Sequence, residues 1–542
     1  YNVVVGDEAG TAITTGDNNT AVGYAALDAN TTASNNTAVG SDALTANTTG
    51  ASNTAVGKGA LDANTTADDN TGIGTNALTD NTTGGLNTSI GSEALANNTT
   101  ADENTAVGSL SLFTNTTGGS NTAVGHDSLR LNTTGANNSA FGVDALRANT
   151  TGGANTTVGK SALAANTTAS QNVAIGRLAL TANTTGADNT AVGTAALTAN
   201  TTASNNVAVG LESLDANTTG TPNVAVGRGA LGANTTGGGN TAVGDIALGN
   251  NTTASGNTAV GRNSMNVNTE GHSNSALGDT ALFRNTTGDK NVAVGMNALD
   301  HNTSADNNTA VGYDALTANT TGASNVAVGA NALDANTTAA NCTGVGYNVL
   351  SANTTAANNT AVGSQSMAAT NTGGYNTAIG NDSLKVNTTG YENVALGQSA
   401  LTGNTTAAGN VAVGKSALYT NTTGASNVAV GTSALTANTT GGDNVGVGHS
   451  ALLANTEGAT NTAIGNDAGK ANSTGGYNVF LGRDTGITGS PGGNNTTGSG
   501  SIFLGDENIG NAHIQVDWTV ASDARDKTDF TALDLGLDFV KA

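Results

Sequence analysis

The chain has 542 residues with 3% aromatic and 10% charged side chains, 76 Gly and only 2 Pro. Too few bulky side chains are present for a set of ordinary globular domains, in which about a quarter of residues are charged, and disorder would bring more charge and proline. The net charge of −23 excludes nucleic acid as a partner and disfavours docking on anionic membranes, since both need basic patches.

From the first residues onward one short pattern recurs. Asn19-Thr20-Ala21-Val22-Gly23 returns as Asn36-Thr37-Ala38-Val39-Gly40 and as Asn53-Thr54-Ala55-Val56-Gly57, a period of 17 residues. Between Val5 and Leu481 lie 476 residues, or 28 such periods without a slip. Exact internal repetition over this span encodes one supersecondary unit stacked on itself. Thr20-Ala21-Val22 alternates as a strand does, Gly23 permits a bend, Ala26-Leu27 opens a second apolar stretch, and Asn30-Thr31-Thr32 supplies turn chemistry. Each period is therefore expected to hold two short strands and two turns. The fold class predicted is all-β: a parallel β-solenoid or β-roll of about 17 residues per coil. At ~4.8 Å between stacked strands the array makes a rod on the order of 140 Å long, with Val on Val, Leu on Leu, and Asn amide ladders at the corners.

A coil that buries one Val, one Leu and several Ala gains about 1.5–3 kcal/mol from each large side chain, while ordering costs about 1–2 kcal/mol per residue. That core is thin, and small Ala and Gly faces would let coils of different chains pack together. The expectation is a homo-oligomer, with a homotrimer favoured.

Asn172-Val173-Ala174-Ile175-Gly176 and Asn206-Val207-Ala208-Val209-Gly210 resemble the head repeats of trimeric autotransporter adhesins (YadA-like heads). That resemblance covers about nine-tenths of the chain and implies a trimeric parallel β-roll. The period here is longer than in those heads, through the added Asn-Thr-Thr turn.

The sequence divides into a repeat shaft at 1–484, a Gly/Ser-rich connector with terminal strands at 485–521, and a last segment at 522–542. Ile502-Phe503-Leu504-Gly505 reads as one more strand, but its offset of 23 from Leu481 ends the 17-residue register. Ala512 to Val520 alternates as a strand and carries the single Trp, Trp518. Ser522-Asp523-Ala524-Arg525-Asp526-Lys527, followed by Gly536-Leu537-Asp538-Phe539, resembles the opening of the endosialidase-type intramolecular chaperone domain found at the C-terminus of phage tail fibres and spikes. The resemblance implies a domain that trimerises, nucleates fibre folding and releases itself by autoproteolysis at the Ser. Ser522 would then be the nucleophile, Lys527 its base, and Asp523 the residue beside the cleaved bond; a Ser becomes nucleophilic when a neighbouring base takes its proton. Read without the resemblance, Ser522 caps a helix and Lys527 is solvated. The chain begins inside a repeat and stops inside an amphipathic pattern, so it is expected to be part of a longer protein.

Other chemistry finds little support. Cys342 takes a slot where other repeats carry Asn, and one cysteine builds neither a disulfide framework nor a zinc cluster within a chain. The Asn-Thr-Thr triplets match the glycosylation sequon but read first as turn and ladder residues. Asp and Glu wander among the repeats, which supports neither a calcium ladder nor a paired-carboxylate glycosidase, and the five His are isolated in sequence. No apolar run approaches transmembrane length. No enzyme activity is expected beyond autocleavage, and no cofactor or metal. The function expected is the structural shaft of a virion fibre, a phage tail fibre by preference, at the virion surface or in the extracellular space, presenting a receptor-binding element for host attachment. The partners expected are further copies of itself, other virion or surface proteins, and a host-surface glycan or protein. A bacterial trimeric surface adhesin is the alternative, and an ice-binding solenoid a remote one.

Overall fold

A computed structural model of the chain describes residues 1–490, 492–506 and 508. It contains thirty strands of three residues, one in each coil, from β1 (Val3–Val5) and β2 (Thr20–Val22) to β29 (Val479–Leu481) and β30 (Ile502–Leu504). Each strand pairs in parallel with the next in sequence, Thr20, Ala21 and Val22 lying against Thr37, Ala38 and Val39. The chain is thus an all-β solenoid of 17-residue coils, and no helix occurs among the described residues. Side chains 17 apart stack into columns along the rod, named below by the residue in the second coil.

Alternation within the strand sets inside and outside. Ala21 is fully buried, whereas Thr20 and Val22 are partly exposed, and nearly every internal coil repeats this pattern. The expected burial of Val is therefore corrected: Val lies on the outer face and Ala in the core. The interior has little room for more. At Gly72, which stands in the Ala21 column, an added Cβ already comes within 3.3 Å of Leu61.

The expected second strand is also absent. Ala26 and Leu27 are adjacent, yet both are fully buried, and a strand would send them to opposite faces. The backbone instead takes positive φ at Gly23 (136°), Ala25 (51°) and Leu27 (58°) but not at Tyr24 or Ala26. Alternating torsion signs turn both side chains inward. The segment still bonds between coils: Ala25 N–H donates back to Asp7 O (3.0 Å), while Leu27 N–H donates forward to Ala43 O (3.0 Å). A left-handed Leu costs about 1–2 kcal/mol; its full burial contributes about 1.5–3 kcal/mol, so the conformation holds because the Leu is in the core. The Ala faces proposed above for contact between chains are consequently interior, filled by their own coil.

The ends of the core break the rule in a compensated way. Gly10 stands in the Leu27 column, and Ile13 of the same coil lies where a larger residue 10 would go. At the other end Phe480 replaces the strand Ala, and Gly469 and Gly486 replace Leu; a Cβ on either Gly would fall within 2.6 Å of the Phe480 ring. Phe480 stacks on Phe503 of β30 with centroids 5.0 Å apart. The 17-residue register ends there, but the sheet does not, because β30 pairs with β29 residue for residue.

Gly469→Leu is expected to destabilise the C-terminal coils by about 1–3 kcal/mol through overpacking. Adding Phe480→Ala should recover much of that loss, because the pair then matches an internal coil. Hydrogen exchange of amides 462–482 in the two single variants and the double variant measures the coupling.

Candidate functional site

The sequence places its candidate chemistry at Ser522, Asp523 and Lys527, and all three lie outside the described residues. What the structure offers is a set of columns, each with one environment repeated along the rod.

Two Asn columns are wholly internal. In the first, Asn47 Nδ2 donates to Asn30 Oδ1 of the preceding coil (3.1 Å) and to Gly50 O of its own (2.9 Å). In the second, Asn36 N–H donates to Asn19 Oδ1 (2.9 Å) and Asn36 Nδ2 donates to Gly50 O (2.9 Å). Both columns thus converge on one carbonyl per coil, using its two lone pairs. The expected amide ladders are present. They also answer the sequon question: Asn47 is fully buried with both amide hydrogens engaged, so a glycan on that nitrogen is incompatible with the folded coil. The following Thr column is committed too, Thr48 Oγ1 donating to Thr65 O at 3.0 Å.

Cys342 sits in the Asn36 column, fully buried, with its thiol 3.2 Å from Ala356 O. Burial pushes its pKa up, which keeps it from the reactive thiolate form. Thr370 interrupts the Asn30 column, and there the hydrogen bonding fails: Thr370 Oγ1 and Asn353 Oδ1 are buried without partners.

The described histidines stay apart. His272 Nδ1 accepts the Ser255 N–H (3.0 Å), His301 lies 3.4 Å from Asp300, and His126 lies 3.6 Å from Asp127. Among the described residues no three His, Cys, Asp or Glu converge as metal ligands, and no helix is long and apolar enough to cross a membrane.

The surface is sorted more sharply than the sequence suggested. The last residue of every strand, the Val22 column, is Val, Ile, Leu or Phe, and the first, the Thr20 column, is Thr, Val, Ser or Ile. These side chains point outward: Ile73, Phe141, Val158, Leu277 and Ile379 are between 38% and 52% exposed. Beside this stripe, two residues beyond each Val, the Tyr24 column holds Lys58, Lys160, Arg177, Arg228, Arg262, Lys415 and Arg483 against Asp7, Asp245 and Asp279. On its other side, the Ser34 and Asn35 columns hold Asp17, Asp68, Asp69, Asp102, Glu103, Asp188, Asp289, Asp306, Glu392 and Asp443 against Lys290. The adjoining Ala25 column holds Glu8, Asp42, Glu93, Asp127, Asp144, Glu212, Asp314, Asp382, Asp467 and Asp484. Asp127, Asp144, Asp382 and Asp467 pair with Arg130, Arg147, Lys385 and Lys470, and Asp127 and Asp484 also meet His126 and Arg483 of the Tyr24 column, so acids outnumber cations on both flanks of the stripe. Sequence reasoning missed the stripe by reading its Val as core; the signal that could have found it is Leu27, which with Ala21 and Ala26 already fills the coil.

No protein-family model matches the chain, and no curated protein matches it.

Thr370→Asn should complete the amide ladder and stabilise its coil by about 1–3 kcal/mol, the cost of leaving buried polar groups unpaired; slower exchange of amides 353–387 is the readout. A second expectation concerns the half-buried carboxyls of the Asp28 column. Burial raises the pKa of Asp62, Asp215, Asp300 and Asp334 above the ordinary 3.8. A raised carboxyl costs stability when ionised, and that cost disappears as pH falls through the folded pKa toward the unfolded one. Asp215→Asn should therefore protect its coil at neutral pH and lose this advantage on acidification below about pH 4, again by hydrogen exchange.

Proposed function

We propose that this chain is the shaft of a homotrimeric extracellular fibre, of the kind a virion uses to hold a receptor-binding element away from the particle. The observation that carries the reading is the single parallel register maintained through all thirty strands. A chain so built presents a stiff rod, about 140 Å long at ~4.8 Å per coil, with its polar groups spent on holding coil to coil. Length and stiffness are what a spacer requires.

Two resemblances in the sequence support the finer assignment. The strand motif Asn172 to Gly176 is similar to the heads of trimeric autotransporter adhesins, and Ser522 to Lys527 is similar to the start of the chaperone domain of phage tail fibres. Under this reading Ser522 and Lys527, with Asp523, mark an autocleavage junction, and trimerisation there gives a repetitive shaft its register. The partners are two further copies, other virion proteins, and a glycan or protein of the host surface. The adhesin-like motif keeps a bacterial surface adhesin as the second reading.

Light scattering of the purified chain should give three times its 52.3 kDa mass, and electron microscopy should show straight rods on the order of 140 Å long. A monomer at every concentration would remove the trimer, and flexible or globular particles would remove the shaft.

A further inference from the structure

We propose that the outward face of the sheet, formed by the Thr20 and Val22 columns, is the surface on which copies of this chain associate side by side, all running in the same direction. The proposal rests on the self-association read above and assigns its face and polarity.

An antiparallel or one-sided sheet normally turns polar residues to water. Here every strand from β1 to β30 ends on a Val, Ile, Leu or Phe that points away from the core. Neither outward strand column contains an Asp, Glu, Lys or Arg, although charges occupy columns on both sides of the stripe. Selection of aliphatic residues at an exposed site, repeated in every coil, has no use in packing the coil itself, whose interior Ala21, Ala26 and Leu27 already fill.

The area fits an interface. A three-residue strand is about 10 Å long, and thirty of them at ~4.8 Å give a face on the order of 1,000 Å² or more per chain. The largest apolar patch on an ordinary monomer is about 300–600 Å², and a stable interface needs roughly 800 Å² per partner. The face also repeats every 17 residues along the rod, so a second face of the same period matches it coil for coil.

Symmetry fixes the direction. Three copies packed side by side around one axis along the rods all run the same way. The Val22 edge of each face then lies beside the Thr20 edge of the next.

The test uses the full chain. Thr54→Cys with Val56→Cys, treated with a short bis-maleimide, should yield covalent oligomers, whereas Thr66→Cys on the exposed turn should not. Val209→Asp with Val226→Asp should reduce the particle mass from three chains to one while the amide protection of neighbouring coils is kept. If the particle stays oligomeric in the Asp variant and the strand cysteines do not link, the face is wrong although the oligomer stands. If the unsubstituted chain is a monomer at all concentrations, both readings fail. Linking that appears only when the Thr54/Val56 variant is mixed with Val447→Cys, from the opposite end, would overturn the shared direction. A monomer whose ice-recrystallisation inhibition is lost on Val209→Asp would overturn self-association and give the face to ice.

Discussion

One carbonyl in each coil organises the rest of the structure. Gly50 O, and its equivalents every 17 residues, accepts from an Asn of its own coil and from an Asn of the coil before. Each of those Asn residues is in turn bonded to a neighbour one coil away. The two ladders therefore cannot form unless the period is kept to the residue. A buried amide left without partners costs about 1–3 kcal/mol, so an insertion anywhere in the coil is resisted at both columns. Thr370 shows the local consequence when one rung is changed, and the run from Asn472 to Asn495 shows it at the end of the array: Asn472 Oδ1 and Asn495 Nδ2 are both left without partners where six extra residues intervene.

The same period makes the core small and forces large residues elsewhere. Inside a 17-residue coil there is space for one Leu and two Ala. Where the sequence puts Phe480 into the core, it takes Leu away on both sides and leaves Gly469 and Gly486. Packing density is conserved while the side chains trade volume, as close-packed interiors require. Further bulky aliphatics stand outside, and in every coil one of them, or Phe, takes the Val22 position, which converts a limit on the core into an exposed stripe.

The repeat, its period, the parallel stacking and the Asn ladders were legible in the sequence because each is a statement about spacing. Thr20-Ala21-Val22 was legible as a strand for the same reason. Orientation was not. Val22 is larger than Ala21 and reads as core by hydrophobicity, yet the strand alternation that places Ala inside places Val outside. Ala26-Leu27 reads as a second strand by composition, and only positive φ at Ala25 and Leu27 lets adjacent residues share the interior, a conformation that Leu rarely adopts and that composition does not announce. The compensation at Phe480 could have been read from the sequence, since Leu disappears from its column where Phe enters the strand.

Stacking at ~4.8 Å also explains why the acids wander. Two like charges at that spacing repel by about 1 kcal/mol even in water, and a column that carried Asp in every coil would repeat the penalty at every step. The sequence avoids it by changing sign or by skipping coils. Arg228, Asp245, Arg262 and Asp279 alternate down one column, with Arg228 bonded to Asp245 and Arg262 to Asp279. At two of the three places among the described residues where acids stack, cations sit beside them: Asp127 and Asp144 share Arg147, and Asp467 and Asp484 lie against Lys470 and Arg483. At the third, Asp289 and Asp306 accept backbone N–H groups from the coil before. The scatter that hides any catalytic or metal-binding pattern is thus a property of the rod. It follows that a column free of charge through thirty coils is not a chance gap, because charge could have entered it in alternating sign as it did in the nearby Tyr24 column. Only a surface from which charge is excluded for another reason would stay apolar over the whole length.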